Sequence, residues 1–139
     1  MRIAIVGSPR TGKSTWASKL AVSLGIDLFS TGKRALIATD NYIGVPWESV
    51  PDVVLERLSG MDDWILEGCQ TARVLRRWFK ADPENARKLT RVYYFDRPFV
   101  KRTPGQETMA KGIEKVWREV VPVLARAEVE VIRGVPDGD

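Results

Sequence analysis

The residues Gly7-Ser8-Pro9-Arg10-Thr11-Gly12-Lys13-Ser14 fit the pattern G-x-x-x-x-G-K-[ST] at every fixed position. Each fixed residue has a physical task. The glycines let the backbone curl, so that successive N–H groups turn inward toward phosphate oxygens. A helix opening at Lys13 adds the partial positive charge of its N-terminus. Lys13 then reaches the outer phosphates of a nucleoside triphosphate, and the Ser14 hydroxyl is a ligand for Mg²⁺. With Thr15, these residues are the candidate cofactor-binding set for ATP and Mg²⁺. The flanks agree: an apolar run, Ile3 to Val6, leads into the loop, and an amphipathic stretch leads out of it.

Three further groups could do chemistry. Asp40 lies in Ala38-Thr39-Asp40-Asn41-Tyr42, Glu67 and Gly68 close the apolar run Trp64-Ile65-Leu66, and Asp96-Arg97 closes Arg91 to Phe95. Ten basic residues lie between Arg73 and Arg102, opposed there only by Asp82, Glu84 and Asp96. Solubilising charge is the ordinary meaning of such a run. The sharper reading is an anionic acceptor, a nucleotide or a nucleic-acid strand tracked through its phosphates. Arg73 is nearest in sequence to Glu67-Gly68 and is the first candidate for an acceptor phosphate. Trp47 and Tyr42 could touch a base, whereas Trp16, Trp64, Trp78 and Trp117 fit core positions better.

These groups need a frame. Strands are expected at Ile3–Val6, Ile26–Phe29, Trp64–Leu66, Arg91–Phe95 and Val129–Ile132. Between them, helices are expected at about Lys13–Leu24, from about Pro51, at Thr71–Phe79 and at Gln106–Arg126. Ser30 to Gly44 reads as irregular or weakly helical. The first helix would bury Ala17, Leu20, Ala21 and Leu24 and end at Gly25. The helix at Thr71 would bury Ala72, Leu75, Trp78 and Phe79, with Arg73, Arg76, Arg77 and Lys80 outward. The last helix would bury Ala110, Ile113, Trp117, Val120, Val121 and Leu124, and Pro122 should bend or divide it. Alternating strands and helices imply a three-layer α/β/α fold around a five-stranded parallel sheet. Such sheets bind ligands at the carboxyl ends of their strands, where the polar groups fall.

Composition narrows the classes. The chain has 139 residues, 44% of them hydrophobic, enough for one domain over 1–139 and too few for two. No apolar run approaches the ~20 residues of a membrane helix. The single cysteine, Cys69, fits a reducing cytoplasm and forms no internal disulfide. The absence of histidine removes Ser-His-Asp and Cys-His chemistry and leaves Asp, Glu, Lys or Tyr as general base. A net charge of +4 suits polyanionic ligands without naming one.

On Gly7 to Ser14 the sequence resembles the P-loop NTPases. Within that superfamily its order of elements is most similar to the small P-loop kinases: nucleoside monophosphate kinases, shikimate- and gluconate-type kinases, and polynucleotide kinase domains. The resemblance implies a phosphotransferase that moves the γ-phosphoryl group of ATP to an acceptor. The favoured acceptor class is a nucleotide or a nucleic-acid-linked hydroxyl or phosphate. Thr39-Asp40-Asn41-Tyr42 resembles the R-D-D-Y segment of polynucleotide kinases, which implies that Asp40 takes the proton from the attacking hydroxyl. Asn41 and Thr39 depart from that pattern. Glu67-Gly68 resembles the Asp-Gly of adenylate-kinase-like proteins, implying a role for Glu67 toward Mg²⁺ or the acceptor. Val92 to Pro98 resembles the strand before the kinase lid, with Arg97, Lys101, Arg102 and Lys111 as candidate lid cations. Arg102 is the first of these, in a short mobile loop with Pro104 and Gly105 as hinge. Arg133, Gly134, Val135 and Pro136 fall where such kinases hold adenine. A GTP switch fits poorly, because N-K-x-D is absent. Two rivals remain: a nucleotide-dependent binding module or slow ATPase switch, and a degenerate kinase core that binds ATP and acts structurally. The acceptor's identity and the oligomeric state stay open.

Overall fold

The structure, a computed structural model, describes residues 1–26, 33–98 and 100–134. Five strands form one sheet: β1 (Arg2–Gly7), β2 (Arg34–Ala38), β3 (Asp63–Gly68), β4 (Arg91–Phe95) and β5 (Val131–Arg133). All neighbours pair in parallel, in the order β2-β3-β1-β4-β5. The helices are α1 (Lys13–Ser23), α2 (Val50–Ser59), α3 (Thr71–Ala81) and α4 (Pro104–Arg126).

β1 is central, so both faces of it are covered. Ala4 and Val6 point to one core with residues of α2, α3 and α4, while Ile3 and Ile5 point to the other with Ala17 and Ala21 of α1. The alternation follows from the two-residue period of a strand. Each fully buried Ile or Val contributes about 1.5–3 kcal/mol. Trp64 of β3, 1% exposed, packs edge-on to Trp78 of α3. Parallel pairing brings the ends of β1, β2, β3 and β4 to one edge. Val6 pairs with Gly68 and with Tyr94, and Ala38 pairs with Glu67.

Four details depart from the sequence reading. The second strand is Arg34–Ala38, inside the stretch expected to be irregular; of the expected Ile26–Phe29, only the buried Ile26 lies within the described residues. Its Ala-Leu-Ile-Ala content has no strong strand propensity, and pairing with β3 decides its conformation. Leu24 is 37% exposed, because the helix has already turned there. Gly25, at φ 69, donates to the Val22 carbonyl and Ile26 donates to that of Ala21, a Schellman ending. Val121 is 39% exposed and Val116 is buried. The buried set Ile113, Val116, Trp117, Val120 and Leu124 forms the 3–4 residue stripe, and Val121 falls about 40° beyond its edge. Finally, Pro122 does not divide α4, which runs as one helix of 23 residues. No helix among the described residues is long and apolar enough to cross a membrane.

Candidate active site at the carboxyl edge of the sheet

The loop between β1 and α1 is shaped to hold an anion. Gly12 (φ 77) and Arg10 (φ 66) are both left-handed. The first costs glycine little; the second costs arginine roughly 1–2 kcal/mol. Thr11 is fully buried and its hydroxyl donates to the Ser8 carbonyl at 2.9 Å, fixing the curl. Gly12 caps α1 without a side-chain hydrogen bond, and no acid occupies the first turn. The amides of that turn, over Lys13, Ser14 and Thr15, are thus left for an outside acceptor. Gly7 has a separate reason: a Cβ there would lie 2.9 Å from the Phe95 carbonyl and 3.1 Å from Cδ of Lys13.

Lys13 is 5% exposed. Its Nζ donates to the Ser8 carbonyl at 3.2 Å and to Cys69 Sγ at 3.5 Å, a polar perch beneath the loop. Ser14 Oγ donates to Glu67 Oε2 at 3.1 Å. Glu67 ends β3, is 4% exposed, and has its pKa raised. Burial is the main cause; Lys13 and the Ser14 hydroxyl act against it, and Asp40 adds to it. Cys69 is also pushed up, chiefly by burial, and is held as a thiol.

Asp40 comes from a single 3-10 turn, Thr39–Asn41, directly after β2. Its Oδ1 accepts from the Cys69 amide at 3.0 Å and from the Thr39 hydroxyl at 3.3 Å. Thr39 Oγ1 in turn accepts from the Gln70 amide at 3.2 Å. This clasp needs Gly68, at φ 132, because a Cβ there would collide with Thr39 Oγ1. The elements β2 and β3 thereby set Asp40 beside Glu67 and Lys13.

Arg102 closes the other side. Its Nε donates to the Pro9 carbonyl at 2.8 Å and its second amino group donates to Ser8 Oγ. Its side chain is 8% exposed, and Glu107 lies 3.8 Å from its remaining nitrogen. The start of α4 places it. Thr103 caps the helix, with reciprocal bonds to Gln106 of 3.2 and 2.9 Å, and Pro104 occupies the first turn. Pro104 and Gly105 are therefore helical, which corrects the expectation of a hinge loop there. Arg97 is exposed and makes no hydrogen bond or ion pair among the described residues. Arg73 is half-buried on α3; its Nε has no partner, and its terminal nitrogen lies 3.8 Å from where a Cβ on Gly112 of α4 would stand.

At the β5 end, Arg133 belongs to the strand rather than to a loop and grips Asp96 through both carboxylate oxygens, at 2.8 and 3.0 Å. Gly134 donates to the Tyr94 carbonyl at 2.7 Å, and its missing side chain makes room for the Phe95 ring. Trp16 packs against Tyr93 and Phe95 at 4.4 and 5.4 Å between centroids. Val135 and Pro136 lie outside the described residues.

No protein-family model matches the sequence, and no curated protein matches it. Among solved structures, the crystal structure of shikimate kinase from Aquifex aeolicus VF5 is similar, with a TM-score of 0.50 and 19% identity. The similarity covers 95% of this chain and 86% of that one. The chain has the fold of a P-loop kinase. That likeness carries the architecture, the five-stranded parallel sheet included, and leaves the acceptor to the residues themselves.

Within this P-loop kinase fold, Lys13, Ser14, Glu67, Gly68, Asp40 and Arg102 come together at one edge, while Arg97 and Arg73 stand outside that group. Thr39, Cys69 and Gln70 were not foreseen as part of the site. Nothing in their types signals them; they act through the Gly68 contact, which only the pairing of β2 with β3 creates.

The donor set suits a hard cation. Ser14 Oγ and Glu67 Oε2 are oxygen ligands 3.1 Å apart, and no cluster of three or more acidic, cysteine or histidine residues competes among the described residues. Mg²⁺ typically takes one or two protein oxygens plus phosphate and water.

Proposed function

We propose that this protein is a Mg·ATP-dependent phosphotransferase that moves the γ-phosphoryl group to an acceptor hydroxyl or phosphate on a nucleotide or nucleic acid. The observation that carries this reading is the placement of Asp40. Its carboxylate is tied by Oδ1 to the Cys69 amide, across Gly68 from the phosphate loop. Both hydrogen bonds to it among the described residues fall on Oδ1. Oδ2 is therefore the oxygen available to take a proton from an attacking hydroxyl.

The remaining roles follow from position. The loop amides and Lys13 bind phosphate oxygens, with Nζ leaving the Ser8 carbonyl to do so. Ser14 and Glu67 would hold Mg²⁺, which when bound would supply positive charge beside the transferring phosphoryl group. Arg102, already lying over Ser8 and Pro9, is the lid cation nearest that group. Gly134 and the half-buried Trp16 would border the adenine.

Purified protein, Mg²⁺ and γ-labelled ATP would be incubated with a panel of acceptors. The panel holds nucleosides, nucleoside monophosphates, DNA and RNA with 5′-hydroxyl ends, DNA with hydroxymethylated bases, and small hydroxy acids. Transfer to one class, abolished by Lys13→Ala, is the expected result. Binding of ATP without transfer to any acceptor would overturn the reading in favour of a nucleotide-dependent binding module.

A further inference from the structure

From Gln70, whose amide bonds Thr39 next to Asp40, a groove runs along α3, between it and the segment from Trp47 to Pro51, with a cavity of about 210 Å³. Its walls carry Trp47, Gln70, Arg73, Arg77 and Lys80, with Glu48 as an acid among them. Gln70 is 1% exposed, yet neither its Oε1 nor its Nε2 has a partner. The Arg73 Nε in the same wall is also buried without one. Buried polar groups nearly always find partners, so two such groups facing one cavity mark a place where polar contacts are to be made. Gln70 also precedes α3, whose start has no side-chain cap and no acid in its first turn.

The chemistry of the walls selects the ligand. A buried carboxamide offers one acceptor and a donor side by side, the complement of a nucleobase edge. Trp47 is 44% exposed at the mouth, where its face can stack on a base. Arg73 and Lys80 form no ion pair among the described residues. They are seven residues apart on one helix, about 10 Å along its axis. That span is longer than the spacing of neighbouring phosphates along a strand, so the two cations would meet different phosphates. Arg77, between them, is clamped to Asp52 of α2 by two bonds of 2.8 Å and keeps the wall in place. Lys80 lies near enough to Glu119 to act on its carboxylate but forms no hydrogen bond to it among the described residues; a mononucleotide filling the Gln70 end would bring no phosphate to Lys80, whereas a strand would reach both cations.

We propose that this groove is a track for a nucleic-acid strand, with one nucleobase held by Gln70 and Trp47 and the following phosphates held by Arg73 and Lys80. The proposal rests on the phosphotransferase reading only in that it makes this strand the acceptor; the track itself binds without ATP.

The test measures binding, not transfer. Fluorescent single-stranded DNA and RNA of about ten nucleotides are titrated with the full chain across a range of salt, alongside a mononucleotide and an abasic strand. DNA and RNA are separate arms, and the preferred one names the acceptor. Affinity should fall log-linearly with salt, and Arg73→Gln and Lys80→Gln should each reduce the slope by about 0.7. The intact strand should bind about five- to a hundredfold tighter than the abasic one, and Trp47→Ala should shrink that ratio. Lys80 and Trp47 are exposed, so these variants fold even where Arg73→Gln does not. Strands bound no tighter than the mononucleotide, or salt slopes unchanged in Lys80→Gln, would overturn the track. Strand binding as described without phosphoryl transfer would keep the track and remove the kinase reading. Transfer to a mononucleotide without strand binding would do the reverse.

Discussion

Replacing Gly68 by alanine tests how the acceptor side is held. The added Cβ collides with Thr39 Oγ1 and lies 3.0 Å from both the Thr39 Cβ and its backbone nitrogen. Ordinary carbon contacts need about 3.5–4.0 Å, so the Thr39–Asn41 turn must retreat by roughly 0.5–1 Å. Two costs add. An L-residue at φ 132 carries about 1–3 kcal/mol of strain. Overpacking against a backbone that is itself hydrogen-bonded costs about 1–3 kcal/mol more. At roughly 4 °C per kcal/mol for a chain of this size, the melting temperature should fall by about 8–24 °C. The retreat carries Asp40 with it, and a misplacement of about 1 Å costs on the order of a hundredfold in transfer rate. The phosphate loop is untouched, so ATP affinity by fluorescence titration should hold within about twofold. Adding Thr39→Ala removes the worst overlap and should restore at least about 1 kcal/mol relative to additivity. The reasoning fails if Gly68→Ala melts within about 2 °C of the parent and transfers phosphate at an unchanged rate.

Asp40→Asn keeps an oxygen for the Cys69 amide but no base. Label transfer should drop about a hundred- to ten-thousandfold while ATP affinity is retained; an unchanged rate would remove Asp40 from the chemistry. Arg102→Ala should lower transfer by about a hundred- to a thousandfold, and Arg97→Ala by less than about twofold, since its side chain meets none of the site. Equal effects in single-turnover assays would return the lid role to Arg97. Glu67 holds its proton more tightly when folded, so its protonation favours the fold most at low pH. That contribution declines as pH rises from the ordinary glutamate pKa through the raised one. Glu67→Gln should therefore gain melting temperature relative to the parent as pH rises above the ordinary glutamate range without Mg²⁺. A difference that stays flat over that rise contradicts the burial argument.

The phosphate loop was readable because its function lives in the local backbone. Glycine at φ 77, a lysine and a serine act within eight residues, so their spacing alone declares them. β1, β3, β4 and α3 were readable from apolar periodicity. β2 was not, because two alanines dilute the strand preference of Ile37 and pairing with β3 decides the conformation. The same dependence hid Thr39 and Gln70, whose contacts join positions 31 residues apart. Thr103 and Gln106 form a capping box that a local pattern does encode, and reading it would have put Pro104 and Gly105 in α4 rather than in a hinge.

The kinase reading and the binding-module reading share the loop, so only the rest of the edge separates them. A module that merely holds ATP needs nothing beyond Lys13 and Ser14. Here a glycine holds φ 132, a backbone that side chains rarely allow, and a threonine and two amides are used, so that one carboxylate is tied down beside Glu67 and Lys13. Asp40 is exposed and contributes nothing to either core. Such a clasp is what the proposed phosphotransferase would require of a proton acceptor that must not move, and a passive ATP-binding module has no use for it.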